Sequence, residues 1–238
     1  MMLTPLPSGY DHDRLEIQRV ATHVLARARF VATGRFGLRV TPTGIGTPAF
    51  GPDGDILRIS GDHVVRERQR DGVGRAETLS VAGRSLGELA AFVDVDVAEP
   101  LDVGQGTVPI GDVSAPISIQ PEAFVSLLSW FRLGATVLDL VLPSVSEPSV
   151  IQLWPEHFDV GFDAAVALGR VNLGASAGDA DHPEPYLYLG PWGVERPGDS
   201  RYWNAPFGAR LPHAELRAAE HPVDAAAAFF RRGLQLLG

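Results

Sequence analysis

Two long amphipathic segments, each followed by short strand-like segments, constrain the fold of this 238-residue chain most strongly. In the first, from Asp13 to Thr33, apolar side chains recur at helical spacing until Gly34 ends the pattern. The second begins at Pro121, carries an apolar stripe from Phe124 to Val141 and ends at Pro143. This order predicts an α+β protein of two halves, each an antiparallel sheet with helices, and suggests an internal duplication.

A helix cap and a segment rich in turn-forming residues, both between the two patterns, predict where the halves begin and end. Ser85 and Glu88 form a capping box that starts a short helix late in the first half. After it, residues 94–118 are rich in Pro, Gly and Asp and show little periodicity. We therefore predict an N-terminal half over residues 1–95, a linker over 96–120 and a C-terminal half over 121–238, packed together as one globular unit.

Composition excludes several classes of function. The chain has no cysteine, which excludes disulfides, thiolate catalysis and cysteine-ligated metals. All of its 20 basic residues are arginine, so a lysine Schiff base and a P-loop are also excluded. The net charge of −9 argues against a nucleic-acid partner, because phosphate binding needs clustered positive charge. We expect the arginine-rich stretch from Arg66 to Arg70 to be a solvated strand face.

The most apolar stretch, from Phe124 to Leu142, bears on a membrane location. It contains Arg132 and Asp139 near its middle, and each would be costly in lipid. Residues 1–10 lack the basic and apolar regions of a secretory signal. We therefore predict a cytoplasmic protein with no membrane partner, in which this stretch is a buried amphipathic helix.

Polar and aromatic residues in the second half form a candidate binding site. Alternation along a strand predicted over residues 157–162 sends His157 and Asp159 to one face and Phe158 and Val160 to the other. If the later strands pair in sequence order, this polar face is large enough to bind a small molecule, although an ordinary solvated face is the alternative. The candidate ligand-binding residues are Trp154, His157, Asp159, Asn172, Tyr186 and Tyr188.

Acidic residues and a histidine in the loop after residue 174 raise the possibility of a metal site. Carboxylates and imidazoles suit hard or borderline metals, and the candidate ligands are His157, Asp159, Asp181, His182 and Glu184. Their spacing matches no established metal motif, and acidic residues in such turns are often solvated turn formers. Residues 174–178 also fit the G-x-S-x-G pattern of a serine hydrolase, but the segment after them is not helical in character.

Four stretches carry a resemblance to known sequences: Ile151 to Asp159, Gly174 to Gly178, Glu184 to Trp192 and Trp203 to Gly208. Through them, and over nearly its full length, the chain resembles a family of uncharacterised actinobacterial proteins. The order of its elements is also similar to a larger bacterial family with a Trp-Phe-Asp strand and a later aromatic strand. The resemblance implies a bacterial cytosolic setting, and it carries over no catalytic residue and no cofactor.

Three functional hypotheses follow. The first is binding of a small polar molecule on the second-half sheet face. The second is a hydrolase, either metal-dependent or using a water activated by His157, Asp159, His182 and Glu184. The third is an assembly module in which the aromatic residues between Trp154 and Phe207 form a homodimer interface; these rings also suit a second hydrophobic core. The sequence identifies no cofactor.

Overall fold

The architecture is α+β, as predicted, and it contains two antiparallel sheets of five strands each. It is seen in a computed structural model that describes residues 2–70, 73–98, 101 and 106–238. In each sheet the strands are neighbours in chain order, so both are meanders. The chain forms two compact units: unit 1 comprises Met1–Pro5, Ser129–Gln152 and Asp159–Gly238, and unit 2 comprises Leu6–Leu128 and Leu153–Phe158. The hypothesis of an internal duplication stays a prediction.

The first long helix confirms the helical pattern and adds an irregularity. It consists of α1 (Tyr10–Val20), a π-helical stretch (Ala21–Ala26) and α2 (Arg27–Thr33). Gly34 ends it in the left-handed conformation with φ 69°, which glycine adopts without steric cost. Nothing in the apolar spacing predicted the π-helical stretch, because its wider turn still leaves the apolar residues on the buried side.

The first sheet contains one strand more than predicted. Its strands are β1 (Arg39–Thr41), β2 (Gly44–Gly46), β3 (Ile56–Ser60), β4 (His63–Arg70) and β5 (Val73–Ser80). Strand β2 lies inside the segment that its glycines and prolines marked as a turn-rich connection. Gly44 is needed there because a Cβ would lie 1.8 Å from the carbonyl oxygen of Ile59. The turn predicted at Asp71-Gly72 lies outside the described residues.

Arg66 corrects the prediction of a solvated arginine face. It is paired with Leu57 across β3 and β4, which places its side chain on the buried side of the sheet, where it is 8% exposed. Its guanidinium forms ion pairs with Asp55 at 3.1 Å and Asp94 at 2.7 Å, and Arg68 binds the same two carboxylates. A buried cation needs such partners, and Asp55 and Asp94 are too distant in sequence for the arginine-rich stretch to reveal them.

The capping box is confirmed at the start of α3 (Leu86–Phe92), where Ser85 and Glu88 bond each other's backbone N–H groups. The described part of the predicted linker returns to this helix. The N–H of Gly87 bonds the carbonyl of Val113 at 2.9 Å, and the N–H of Ile117 bonds that of Arg84 at 2.8 Å. Residues 113–117 are therefore held by backbone hydrogen bonds within unit 2.

The second half contains the predicted helices and two further elements. Its elements are α4 (Pro121–Val141), a 3-10 turn (Leu142–Ser144), β6 (Gln152–Trp154), β7 (Asp159–Val166), β8 (Gly169–Ser176), β9 (Tyr186–Pro191), β10 (Ala209–Pro212), α5 (His213–Ala218) and α6 (Pro222–Leu237). Strand β10 and helix α5 were not predicted. With four and six residues, they are too short for a periodic pattern to develop.

Helix α4, with the 3-10 turn that follows it, is long and apolar enough to cross a membrane by length and composition alone. Its side chains are nevertheless distributed as in a core helix. Trp130 is buried and donates its indole N–H to the carbonyl of Ser176 at 2.7 Å, and Gly134 packs closely against Ala175. Arg132 and Asp139 are exposed. This distribution agrees with the predicted buried amphipathic helix.

Two buried imidazoles make the stability of the fold sensitive to acid. His23 in the π-helical stretch is 2% exposed, and its Nε2 bonds the carbonyl of Val108 at 2.8 Å. His213 at the start of α5 is 4% exposed and contacts the ring of Trp130. Burial lowers the pKa of both imidazoles below the ordinary 6.5, so each is neutral in the folded chain.

We expect the free energy of unfolding to fall as the pH drops below 6.5, because the unfolded chain binds these two protons first. Above that pH the stabilisation from keeping these imidazoles neutral is complete. Below it, each imidazole lowers the free energy of unfolding by at most about 1.4 kcal/mol per pH unit. Urea unfolding of wild type and His213→Asn across this range measures it. The variant should show a shallower slope, whereas replacing the exposed His221 should leave the slope unchanged. Parallel slopes for wild type and His213→Asn would contradict the assignment.

Candidate functional site

One face of the second sheet is polar, and the strand register shows which residues share it. Asp159 on β7 is paired with Ser176 on β8, which is paired with Tyr186 on β9. Tyr188 lies two residues further along β9, and Asn172 lies four residues earlier on β8. Because alternate residues of a strand point to the same side, Asp159, Asn172, Tyr186 and Tyr188 share this face, as the alternation predicted.

The prediction that the strand begins at His157 is wrong. Strand β7 begins at Asp159, and His157 is exposed in the turn over residues 155–158. Phe158 has a φ of 51°, in the left-handed region, which interrupts the alternation on which the placement of His157 depended. Trp154, the last residue of β6, and His157 both belong to unit 2. The site on unit 1 is therefore built without them.

Tyr188 packs closely against a pair of glycines. Gly161 and Gly174 face each other across β7 and β8, and Gly174 in turn faces Tyr188. A Cβ on Gly174 would lie 2.5 Å from Cζ and Oη of Tyr188, and one on Gly161 would lie 3.0 Å from Oη. The ring of Tyr188 therefore occupies space that the side chain of any residue other than glycine would fill at positions 161 and 174. In this position the phenol donates a hydrogen bond to Oδ2 of Asp159, which is 5% exposed.

Tyr186 makes the equivalent bond to the loop that follows β8. Its phenol donates to Oδ2 of Asp179, while Oδ1 of Asp179 accepts the backbone N–H groups of Asp181 at 2.8 Å and His182 at 2.7 Å. Burial acts to raise the pKa of Asp179, but these hydrogen bonds outweigh it and lower the pKa below its usual value. Asp179 is thus an ionised carboxylate that orders the loop and orients Tyr186.

Both phenols remain protonated donors at neutral pH. Burial and the adjacent carboxylate of Asp159 raise the pKa of Tyr188 well above its ordinary value. Burial and the hydrogen bond to Asp179 raise the pKa of Tyr186 in the same way. The hydrogen-bonded carboxylates of Asp159 and Asp179 and the two neutral phenols therefore form a connected polar layer on this face.

An aromatic ring and a cation from the β10 side complete the cluster. The ring of Phe207 stacks on Tyr186 at 6.1 Å and meets Tyr188 edge-on at 6.5 Å. Arg210 is opposite Tyr188 in the register of β9 and β10, and its Cζ lies 5.9 Å from the centre of the Tyr186 ring. Sequence reasoning missed Arg210 because β10 was not predicted. The available signal was its position between the apolar Ala209 and Leu211.

The other end of this face is open to solvent. Asn172 is exposed, and its Oδ1 accepts the indole N–H of Trp192 at 2.8 Å. Trp192 is 63% exposed, and the guanidinium of Arg170 lies 5.8 Å from its ring centre. Arg170 is held by Asp163 through bonds of 2.6 and 3.0 Å. Groups that a polar solute can reach therefore adjoin the buried phenols.

No protein-family model, curated protein or solved structure matches this chain.

The predicted metal ligands are not brought together. Across residues 2–70, 73–98, 101 and 106–238, no group of three or more His, Asp or Glu side chains is arranged to hold a metal ion. In the loop after β8, Asp181 and Glu184 are exposed, and His182 packs its ring against Tyr186 at 5.5 Å. The ligands concerned are His157, Asp159, Asp181, His182 and Glu184.

Ser176 does not have the setting of a nucleophilic serine. It is buried at the end of β8, and its Oγ accepts the N–H of Gly178 at 3.1 Å. The residues that follow form a loop, whereas a nucleophile elbow leads directly into a helix. The cluster is therefore equipped to donate and accept hydrogen bonds and to contact rings, and it presents no activated nucleophile among the residues described above.

Proposed function

We propose that unit 1 binds a small polar molecule on this sheet face, at the cluster formed by Tyr186, Tyr188, Phe207 and Asn172. The observation that supports the proposal is that Tyr188 packs against two glycines while its phenol donates a hydrogen bond to Asp159. That arrangement fixes a ring and a hydroxyl in one orientation on the side of the sheet that faces away from the apolar layer.

The energetics favour a binding role over a purely structural one. Burying a carboxylate costs on the order of several kcal/mol unless hydrogen bonds compensate the loss of water. Apolar residues in place of Asp159 and Tyr188 would avoid that cost. Groups whose pKa is strongly perturbed by burial and a specific partner cluster at functional sites. Here the phenols of Tyr186 and Tyr188 are perturbed in this way and lie side by side.

The exposed neighbours indicate a ligand that is both polar and partly planar. Phe207 is 36% exposed and offers a ring face or edge, while the amide of Asn172 offers hydrogen bonds. Small-molecule sites combine aromatic walls with a few polar groups that fix orientation.

We also propose a bacterial origin and a cytoplasmic location, which the resemblance to actinobacterial proteins implies.

Replacing Tyr188 with phenylalanine tests the proposal. The change removes the donor to the buried Asp159 and should lower the free energy of unfolding by about 2 kcal/mol. Thermal unfolding is measured with methyl glucoside, adenosine, benzamide and benzoate as probes. A probe at ten times its Kd adds about 1.4 kcal/mol to the unfolding free energy. We expect at least one probe to stabilise wild type and to lose most of that effect in Tyr188→Phe.

Tyr202→Phe provides a matched control. Tyr202 also loses a phenol hydrogen bond, to the carbonyl of Phe229, but it is no part of the polar face. The control should be destabilised and should still respond to the probe. If no probe stabilises wild type, or if Tyr188→Phe responds as wild type does, the proposed function is wrong.

The other two hypotheses stay predictions from the sequence. A hydrolase using His157, Asp159, His182 and Glu184 gains no support from the positions of these residues, since His157 lies in an exposed turn and Asp159 already accepts the phenol of Tyr188. The homodimer hypothesis would use exposed aromatic residues, of which Trp192 is the largest.

A further inference from the structure

Arg210 differs from Arg66 and Arg170 in that no described residue pairs with its guanidinium through a hydrogen bond or an ion pair. Its Nε is buried without a hydrogen bond, and within the described part of the chain its guanidinium makes neither an ion pair nor a side-chain hydrogen bond. Arg66, which is buried, and Arg170, which is half-buried as Arg210 is, each bind a carboxylate. The guanidinium is therefore half-buried, with terminal nitrogens that lack a counter-charge among the described residues, and an anionic ligand that supplied one would be stabilised there.

The backbone of Arg210 is fixed even though its head group is not engaged. Oδ1 of Asn204 accepts the N–H of Arg210 at 2.8 Å, and Nδ2 of Asn204 donates to its carbonyl at 2.9 Å. Pairing with Tyr188 across β9 and β10 places the side chain on the polar face. The guanidinium is thus held beside the phenols by the strand and by the ring of Tyr186.

The nearby carboxylates are already committed. Asp159 accepts from the phenol of Tyr188, and Asp179 accepts from Tyr186 and from two backbone N–H groups. In this cluster the two carboxylates therefore already accept hydrogen bonds, whereas the guanidinium of Arg210 donates none to the residues that the structure describes. A ligand that matches this arrangement brings its own anionic acceptor.

We propose that the ligand of this site is a small organic carboxylate whose anionic group binds Arg210 while its apolar part contacts the rings of Phe207 and Tyr186. This inference rests on the proposed function and specifies its ligand class. A guanidinium presents parallel N–H groups that match the two oxygens of a carboxylate. A single arginine suits one such group, and the net charge of −9 is unsuited to a polyanion.

Benzoate and benzamide form a matched pair of probes, since they share ring and shape and differ in charge. Titration calorimetry and thermal unfolding are carried out with each, on wild type and on Arg210→Gln. We expect wild type to bind benzoate at least about tenfold more tightly than benzamide, since charge-assisted bonds exceed neutral ones by roughly the 1.4 kcal/mol that this ratio represents. Arg210→Gln should bring the two affinities within about twofold of each other.

Arg217→Gln is the control, because Arg217 is an exposed arginine on α5 in the same unit. It should keep the benzoate preference. Arg210→Lys keeps the charge without the planar fork and should retain part of the preference, and far-UV circular dichroism verifies that each variant is folded. Inorganic phosphate and chloride at equal ionic strength should not displace benzoate.

Several outcomes would overturn the inference. They are equal binding of benzoate and benzamide to wild type, a benzoate preference that survives in Arg210→Gln, displacement by phosphate or chloride, or no binding of benzoate. Benzamide or adenosine binding that depends on Tyr188 but not on charge would overturn this inference alone and leave the proposed function standing. Benzoate binding that needs Arg210 but is unchanged in Tyr188→Phe would overturn the proposed function, and with it the inference that rests on it.

Discussion

The free energy of unfolding is expected to fall by about 3 kcal/mol when Gly44 is replaced by alanine, a large effect for one methyl group. The added Cβ would lie 1.8 Å from the carbonyl oxygen of Ile59 and 2.9 Å from its carbonyl carbon. Both are backbone atoms, so no side-chain rotation relieves the overlap. Strands β2 and β3 must separate at this point, which breaks the pairing of Gly44 with Ser60. Urea denaturation followed by circular dichroism measures the loss.

Gly74→Ala is the matched control, because Gly74 is also a strand glycine of the first sheet but has nothing within 4 Å of the position of a Cβ. It should be neutral or slightly stabilising, since alanine restricts the unfolded chain more than glycine does. Similar stabilities for the two variants would contradict the close approach of β2 and β3.

Replacing Gly174 with alanine should remove ligand binding and lower the free energy of unfolding by about 2 kcal/mol. The new Cβ would lie 2.5 Å from Cζ and Oη of Tyr188, so the ring must leave its position and give up the bond to Asp159. The tyrosine signal in near-UV circular dichroism should change, and every probe that stabilises wild type should lose its effect.

Gly190→Ala separates this effect from a general intolerance of side chains on the polar face. Gly190 is paired with Asn172 on the same side of the sheet, but a Cβ there meets only the carbonyl oxygen of Phe207, at an ordinary 3.5 Å. It should retain both stability and the probe response. Retained binding in Gly174→Ala, or its loss in Gly190→Ala, would contradict the role given to the packing of Tyr188 against the two glycines.

The sequence predicted those parts of the fold in which local signals agree with tertiary packing. Gly34, the capping box at Ser85 and Pro121 each mark a helix end through the chemistry of the helix terminus itself. Strand β2 was missed because its glycines are there for close approach of β3, which a local pattern records as a turn. Arg66 was misplaced because its buried position depends on carboxylates that are remote in sequence.

The candidate site was predictable to the extent that it depends on strand alternation. Asp159, Tyr186 and Tyr188 were placed on one face because a regular strand leaves no other choice. His157 was misplaced because the left-handed Phe158, a rare conformation for a bulky residue, interrupts the pattern before β7 begins. Arg210 was missed because the four residues of β10 carry too little periodicity to identify a strand, although Arg210 does lie between two apolar residues.

The outer edge of β10 has a consequence for self-association. Of the residues whose backbone groups point away from β9, Gly208 exchanges hydrogen bonds with Ala205, Arg210 has both groups satisfied by the side chain of Asn204, and Pro212 has no N–H. No donor along this edge is left to template an incoming strand. The β10 edge therefore offers an incoming strand no N–H donor, which disfavours edge-to-edge pairing and β-augmentation along this strand.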